Sequence, residues 1–164
     1  MIVLPKLSFC DYIYTCAGLH FFYPHISEKS KAMYSINKEE YGFRLVFGGS
    51  ISADEMIHFR LESVRALVGA EKDFGLVLDL RDFRAEELEP EARQEMADGI
   101  ELYRRAGVYR VCYILGSGAL TAQYRRRQRE SRTKHHERYI NAETNLLWPF
   151  TASKWVADGI EPGD

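Results

Sequence analysis

The sequence of 164 residues is poor in cysteine and has none of the paired cysteine motifs that hold metals or redox disulfides. Its three cysteines, Cys10, Cys16 and Cys112, are an odd number, and none belongs to a C-x-x-C pair or stands at zinc-finger spacing from a histidine. This spacing excludes a disulfide-stabilised secreted scaffold and a structural zinc site. We therefore predict a cytoplasmic protein in a reducing compartment, with Cys112 as a small core residue.

Long apolar runs are also missing. No segment approaches the ~20 consecutive apolar residues of a spanning helix, so no membrane span is predicted. Residues 1–32 are aromatic but show no sustained helical or strand period, and Asp11 interrupts the stretch that a signal peptide would need. Because regular patterning begins at Met33, we expect Met33 to be the natural start of a domain that covers residues 33–164, and residues 1–32 to be either an upstream extension or a poorly ordered arm.

The charge is nearly balanced but unevenly distributed. A net charge of −2 gives no overall field that would favour nucleic acid or acidic lipid. Residues 41–100 contain 13 acidic and 7 basic side chains, whereas residues 101–140 contain 3 acidic and 10 basic ones. This asymmetry is compatible with an anionic partner or with the association of two copies of the chain.

Strand and helix periods alternate along the proposed domain. The runs MYSINKE and FRLVFGG predict a hairpin. Two continuous apolar runs, FGLVLDL and VYRVCYIL, predict strands buried on both faces, and ERYI predicts a short last strand. Helical segments follow the last four strands, so the order is ββαβαβαβα. This order predicts an α/β fold with a mostly parallel five-stranded sheet, an antiparallel edge strand and about four helices.

Caps and apolar stripes define the predicted helices. Ser52 and Glu55 form a capping box at the first helix, and Pro90 opens the second. Leu120 and Tyr124 begin an inward stripe in the third helix that becomes polar after about two turns. Glycines end three of the helices: Gly69, Gly107 and Gly159. Aliphatic residues at i, i+4, i+7 and i+11 predict the inward face of the first helix: Ile57, Leu61, Val64 and Val68.

The chain resembles a STAS domain (sulfate transporter and anti-sigma antagonist). The resemblance is carried by the order of the elements, by LVFGGSISADE before the first helix and by LVLDLRDF before the second. The chain is similar in particular to a small stand-alone bacterial branch related to the CRAL-TRIO lipid-transfer fold. Members of that branch often close with an arginine–aromatic strand and a tryptophan helix, as ERYI and ASKWVADGI do here. The resemblance covers residue 33 to about residue 162.

The phosphorylation switch of anti-sigma antagonists is missing from this chain. Those proteins have a phosphorylatable serine at the start of the helix that follows the buried strand. Asp79 matches the aspartate at the end of that strand, but no Ser or Thr lies between Asp79 and Pro90, where the chain reads EELEP. The resemblance thus implies a non-enzymatic regulatory or protein-interaction module without the switch. The lipid-transfer relatives imply the alternative, a carrier of a small apolar or anionic ligand bound between the sheet and its helices.

Two loops follow the carboxyl ends of predicted parallel strands, where ligands collect in open α/β sheets. The first begins at Asp79 and Arg81, and the second contains Ser117 and Gly118. These four residues are the candidate ligand site, since N–H groups and a hydroxyl at a helix start are suited to an anion. The alternatives are that Asp79 fixes its own loop and that Ser117 and Gly118 are an ordinary cap and turn.

The stretch YRRRQRESRTKHHERY, residues 124–139, is strongly basic. A solvated or self-associating face is the favoured interpretation, with a homodimer or another protein as the partner. Nucleic-acid binding is a weaker alternative, because no recognised motif accompanies the basic residues. Four residues share one face of the predicted helix and form the predicted interaction surface: Arg125, Arg129, Arg132 and His136.

No catalytic residue, metal site or cofactor is predicted. His135 and His136 are about 100° apart around a helix, whereas two helical metal ligands need i, i+4 spacing. His58 lies beside polar residues and has no plausible nucleophile partner, so no Ser-His-Asp set can be assembled. We therefore predict that the protein is not an enzyme.

Overall fold

The computed structural model of the protein describes residues 33–131 and 136–160, without the side chains of residues 127–131. Strands and helices alternate through these residues. Five strands are present there: β1 (Tyr34–Glu39), β2 (Gly42–Gly49), β3 (Phe74–Phe83), β4 (Val108–Leu115) and β5 (Glu137–Asn141). Four α-helices connect or follow them: α1 (Ala53–Leu67), α2 (Pro90–Ala106), α3 (Gly118–Ser131) and α4 (Trp148–Asp158).

The strands form one sheet in chain order, β1-β2-β3-β4-β5. β1 pairs antiparallel with β2, and each later pair of neighbours is parallel. The predicted α/β fold, with a mostly parallel five-stranded sheet, an antiparallel edge strand and four helices, is confirmed. The β1–β2 turn requires glycine, because Gly42 has φ = 134° and a Cβ there would collide with the carbonyl oxygen of Gly75.

Helices cover the two faces of the sheet unequally. Right-handed crossovers between strands in chain order place the connecting helices on one face, and Phe43, Leu45 and Phe47 of β2 point into the core on that side. α4 packs on the second face, over a smaller core that contains Val77 and Ile140. Since α4 contacts β3, β4 and β5, the described helices leave most of the second face of β1 and β2 uncovered, apart from Arg44 beneath the Trp148 ring.

The predicted helix ends are confirmed. The Ser52 hydroxyl accepts from the Glu55 N–H, and the Glu55 carboxylate accepts from the Ser52 N–H. Pro90 begins α2, while Gly107 and Gly159 end α2 and α4 in the left-handed conformation. Within the described residues, no helix has the length and apolar character needed to cross a membrane.

The predicted inward face of α1 is wrong. Ile57, Leu61, Val64 and Val68 are 36–70% exposed, and we call these four residues the α1 stripe. The face that packs on the sheet is formed instead by Met56, Phe59 and Ser63. Both faces have helical spacing, but the buried one holds Met56 and Phe59, and the Phe59 ring packs edge to face against Phe47 of β2. A pattern of aliphatic residues could not show this preference.

Candidate functional site

The four predicted ligand residues lie in two places. Asp79 and Arg81 belong to β3, which continues to Phe83, and their side chains meet on the second face of the sheet. Ser117 and Gly118 lie at the start of α3. The two loops touch through Gly116, where a Cβ would collide with the carbonyl oxygen of Arg81. The structure therefore pairs Asp79 with Arg81 but gives Ser117 and Gly118 different surroundings.

Asp79 is the centre of a cluster of charged and aromatic side chains. Arg44 Nη2 donates to Asp79 Oδ2 at 2.7 Å, and Arg81 donates through Nε to Oδ1 at 2.8 Å and through Nη2 to Oδ2 at 3.0 Å. The ring of Trp148 lies 5.2 Å from the guanidinium of Arg44 and 4.4 Å from that of Arg81. Arg44, Asp79, Arg81 and Trp148 form what we call the arginine–aspartate cluster, which ties β2 and β3 to the start of α4.

The carboxylate of Asp79 is held in its ionised form. Asp79 is 1% exposed, and burial by itself would raise its pKa. The hydrogen bonds and positive charges of Arg81 and Arg44 outweigh that cost, so the pKa of Asp79 is lowered. A carboxyl group with a depressed pKa is a poor general acid or base near neutral pH. Two arginines against one carboxylate leave the cluster with one excess positive charge at the border of the uncovered sheet face.

Sequence reasoning found two members of this cluster and missed the other two. Arg44 lies 35 residues before Asp79 along the chain. Trp148 lies far after it, at the start of α4. One signal for Arg44 was present: in β2 it alternates with Phe43 and Leu45, which places it on the face opposite the main core. Nothing in the local sequence around Trp148 indicates its stacking partners.

Ser117 caps α3, as the simpler prediction states. Its hydroxyl accepts from the Leu120 N–H at 3.3 Å, and its carbonyl oxygen accepts from the Thr121 hydroxyl at 2.8 Å. Thr121 is buried, whereas Leu120 is exposed, so the expected inward position of Leu120 is wrong. The hydrogen bond to Ser117 lets Thr121 occupy the buried position, while Tyr124 does pack against the main core as predicted.

A pocket of about 410 Å³ lies between the start of α3 and the loop after β5. It is lined by Gly118, Thr121 and Ala122 of the first turns of α3, and by the polar residues Asn141, Thr144 and Asn145. Two arginines also line it, Arg125 from α3 and Arg138 from β5. We call this site the arginine pocket. The pocket brings together Gly118, which was predicted to belong to a ligand site, and Arg125, which was predicted to belong to an interaction surface.

The predicted basic surface can be followed only in part. Arg125 Nη2 donates to the Tyr139 carbonyl oxygen at 3.3 Å. His136 follows α3, and its Nδ1 lies 3.2 Å from the carbonyl oxygen of Tyr109. The side chain of Arg129 and the whole of Arg132 lie outside the described residues. Arg125 and His136 therefore have separate local partners.

Three tyrosines stack between α3 and the sheet. The ring of Tyr113 lies 4.8 Å from that of Tyr139 and 6.1 Å from that of Tyr124, with small interplanar angles. Tyr139 donates its hydroxyl proton to Glu137 at 2.8 Å. Burial, followed by the charge of Glu137, raises the pKa of Tyr113 to about 12. Burial also raises the pKa of Tyr139, so the phenols of Tyr113 and Tyr139 stay protonated and act as packing and hydrogen-bonding groups.

The thiol of Cys112 is expected to be unreactive in the folded protein. Cys112 is buried in β4, and burial raises the pKa of its thiol to about 12. Thiolate is the reactive species, so iodoacetamide at pH 8 should modify native Cys112 at least ~100-fold more slowly than the unfolded chain. The measurement uses a chain with Cys10→Ser and Cys16→Ser, followed by mass spectrometry. Equal rates with and without urea would contradict this burial.

No group of three His, Cys, Asp or Glu side chains that could hold a metal ion occurs in the described part of the chain.

Comparison with known proteins gives no further guidance on the function. No protein-family model matches the sequence, and no curated protein or solved structure is similar enough to be matched. The function must therefore be inferred from the surfaces and sites of this chain.

Proposed function

We propose that this chain is a non-enzymatic STAS-like module that acts by binding proteins, and that its first partner is a second copy of itself. The α1 stripe is the observation that carries this proposal. Three aliphatic side chains on one face of α1, and Val68 at its C-terminal cap, remain 36–70% exposed, although the same helix buries a different face. Contiguous apolar side chains on an exposed helix are typical of an interaction surface.

The spacing of the stripe suits a second helix with the same stripe. Its residues are separated by four, three and four positions, which is the spacing of a coiled-coil seam. In an antiparallel pair about a two-fold axis, Leu61 would face Val64 of the other copy, and Ile57 would lie near Val68 at the C-terminal cap of the other copy's helix. Such an interface is self-complementary, as two-fold symmetry requires. Because two short helices bury a small area, we expect a dimer with a dissociation constant in the micromolar range.

The packing of the main core supports this proposal over the carrier. A carrier would need a cleft between the sheet and its helices. In that layer the rings of Phe47 and Phe59 are in edge-to-face contact at 4.9 Å, and Tyr103 packs against Phe43 at 5.5 Å. All four rings are at most 2% exposed. The space between β2 and the helices α1 and α2 is thus filled by the chain's own side chains.

The acidic segment after β3 fits constitutive association. Where anti-sigma antagonists have their switch serine, this chain has a short 3₁₀ turn, Ala85–Glu87, followed by Pro90 at the start of α2. Glu86, Glu87 and Glu89 are all exposed. Their permanent negative charge near the start of α2 requires no modification, and it favours the helix through its dipole.

The variant Leu61→Glu is expected to abolish dimerisation without unfolding the protein. In the dimer, a carboxylate at position 61 would be buried against Val64 of the other copy. In the monomer the same carboxylate faces water. Sedimentation velocity between about 5 and 500 µM should show at least a ~100-fold rise in the dissociation constant. Leu147→Glu is the matched control, since Leu147 is an exposed leucine outside the α1 stripe. A wild-type monomer at all concentrations, or equal effects of the two variants, would overturn the proposal.

A further inference from the structure

Four of five consecutive apolar residues are exposed where α4 begins. The run is LLWPF, residues 146–150. Leu146, Leu147 and Phe150 are 85%, 71% and 57% exposed, and Pro149 is exposed as well. We call these four residues the α4 tip. Single exposed leucines are normal on a protein surface, whereas a contiguous group of large apolar side chains indicates an interaction site.

Hydrogen bonds fix the backbone of the α4 tip. Asn145 Oδ1 accepts from the Leu147 N–H at 3.1 Å, and the Leu147 carbonyl oxygen accepts from the hydroxyl of buried Thr151 at 3.1 Å. Trp148 is half-buried and stacks on the arginine–aspartate cluster. The leucines before Trp148 are therefore held on the surface by the fold of the segment around them.

The shape of the α4 tip suits a lipid bilayer better than a folded protein. Leu146 leaves 85% of its surface to solvent, which a side chain that lines a groove cannot do. None of the four tip residues lines the neighbouring arginine pocket. Protruding leucine and phenylalanine side chains can enter the boundary between headgroups and acyl chains, while tryptophan is typical of the headgroup level.

Basic side chains accompany the α4 tip. The arginine–aspartate cluster lies against Trp148 and has one arginine in excess of its carboxylate. Arg125 lines the same pocket as Asn145, the residue that precedes the tip. Two exposed carboxylates are close in sequence, Asp82 to the cluster and Glu143 to the tip. The apolar side chains should therefore supply most of the affinity, and anionic headgroups should add to it.

We infer that the α4 tip inserts into the surface of a lipid bilayer that carries anionic headgroups. Leu146, Leu147 and Phe150 enter the acyl boundary, and the neighbouring guanidiniums remain at the level of the headgroups. Because few side chains insert, the attachment is reversible. The inference is independent of the proposed dimer, since α1 and α4 make no contact in the described part of the chain.

Flotation of the full chain with lipid vesicles tests the inference. Vesicles of phosphatidylcholine with about one third phosphatidylserine should bind the chain, and vesicles of phosphatidylcholine alone should bind it less. Leu146→Glu should weaken binding to the mixed vesicles at least ~10-fold, because a charge replaces an inserted apolar side chain. Leu146 is so exposed that this variant should keep the melting temperature of the wild type, which separates lost binding from a folding defect.

Ile160→Glu is the matched control for the vesicle experiment. Ile160 is 53% exposed and follows the opposite end of α4, about 15 Å from the tip along the helix axis. That distance exceeds the Debye length at physiological salt, so the same added charge should change the affinity less than ~2-fold.

Tryptophan emission separates insertion from adsorption. In a Trp155→Phe background, Trp148 is the remaining tryptophan, and brominated acyl chains in the mixed vesicles should quench its emission. Absence of binding to both kinds of vesicle, binding without quenching, or equal losses in the Leu146 and Ile160 variants would overturn the inference. If Leu146→Glu instead raises the dissociation constant of the dimer and vesicles do not bind, the α4 tip is a contact between copies and the inference is wrong.

Discussion

Replacement of Asp79 with alanine is expected to lower the free energy of unfolding by about 3 kcal/mol at pH 7. The variant removes the carboxylate that Arg44 and Arg81 share and leaves two guanidiniums beside each other. Removing one partner of a buried ion pair costs about 3–5 kcal/mol. The lower value applies here because the two arginine side chains are 31% and 36% exposed and can turn toward water.

The same variant has a defined pH dependence. The pKa of Asp79 is lower in the folded protein than its ordinary value, so its contribution is fully present above the ordinary pKa of about 4 and is lost progressively as the pH falls through the lower pKa of the folded state. Urea unfolding at pH 7 and at pH 3 should therefore show a smaller difference between wild type and Asp79→Ala at pH 3 than at pH 7.

Asp82→Ala is the matched control for this experiment. Asp82 belongs to the same strand but is exposed, and its loss should change stability by less than about 0.5 kcal/mol at either pH. Equal destabilisation by the two alanine variants, or a cost of Asp79→Ala that does not change with pH, would show that the ion pairs contribute little.

Replacement of Phe59 with alanine is expected to cost about 4 kcal/mol, because a large ring at the α1–α2 contact is lost. Phe59 is completely buried, with its ring 4.9 Å from that of Phe47 and 5.5 Å from that of Tyr34. Urea unfolding gives the free energy. Phe150→Ala, at an exposed phenylalanine of α4, should cost less than about 1 kcal/mol.

A double-mutant cycle locates the contact that Phe59 makes. A Cβ at Gly99 in α2 would lie 2.5 Å from Phe59 Cε1, so Gly99→Ala overpacks the interface. Its gain in helix propensity offsets part of that cost, and a net loss of about 1 kcal/mol is expected. In the Phe59→Ala background the added methyl has room. The two effects should then fall short of additivity by at least about 1 kcal/mol; additive losses would contradict a direct contact.

The fold could be predicted because its signals are local. Alternation in β2, continuous apolar runs in β3 and β4, and capping residues such as Ser52 depend on neighbours a few positions away. The inward face of α1 could not be predicted, since two apolar faces competed and the outcome depends on the volume available beside Gly99 and Phe47.

Only those residues of the candidate sites that are close together in the sequence could be predicted. Asp79 and Arg81 are two residues apart, and strand-end position singled them out. Their partners Arg44 and Trp148 come from distant segments, so the complete cluster needs the register of β2 against β3 and the placement of α4. The arginine pocket likewise joins Arg125 with Arg138 and Asn141, whose proximity depends on how α3 returns to β5.

The arrangement of the strands in chain order has an electrostatic consequence. Residues 41–100 form β2, α1, β3 and most of α2, whereas residues 101–140 continue through β4 and α3 to β5 at the opposite edge. The first segment has an excess of acidic and the second an excess of basic side chains. Because the strands lie in chain order, the described side chains place the acidic excess toward one half of the sheet and a basic excess toward the β5 edge, despite a net charge of −2. A charged partner is therefore turned toward one edge before contact, and salt weakens that orientation.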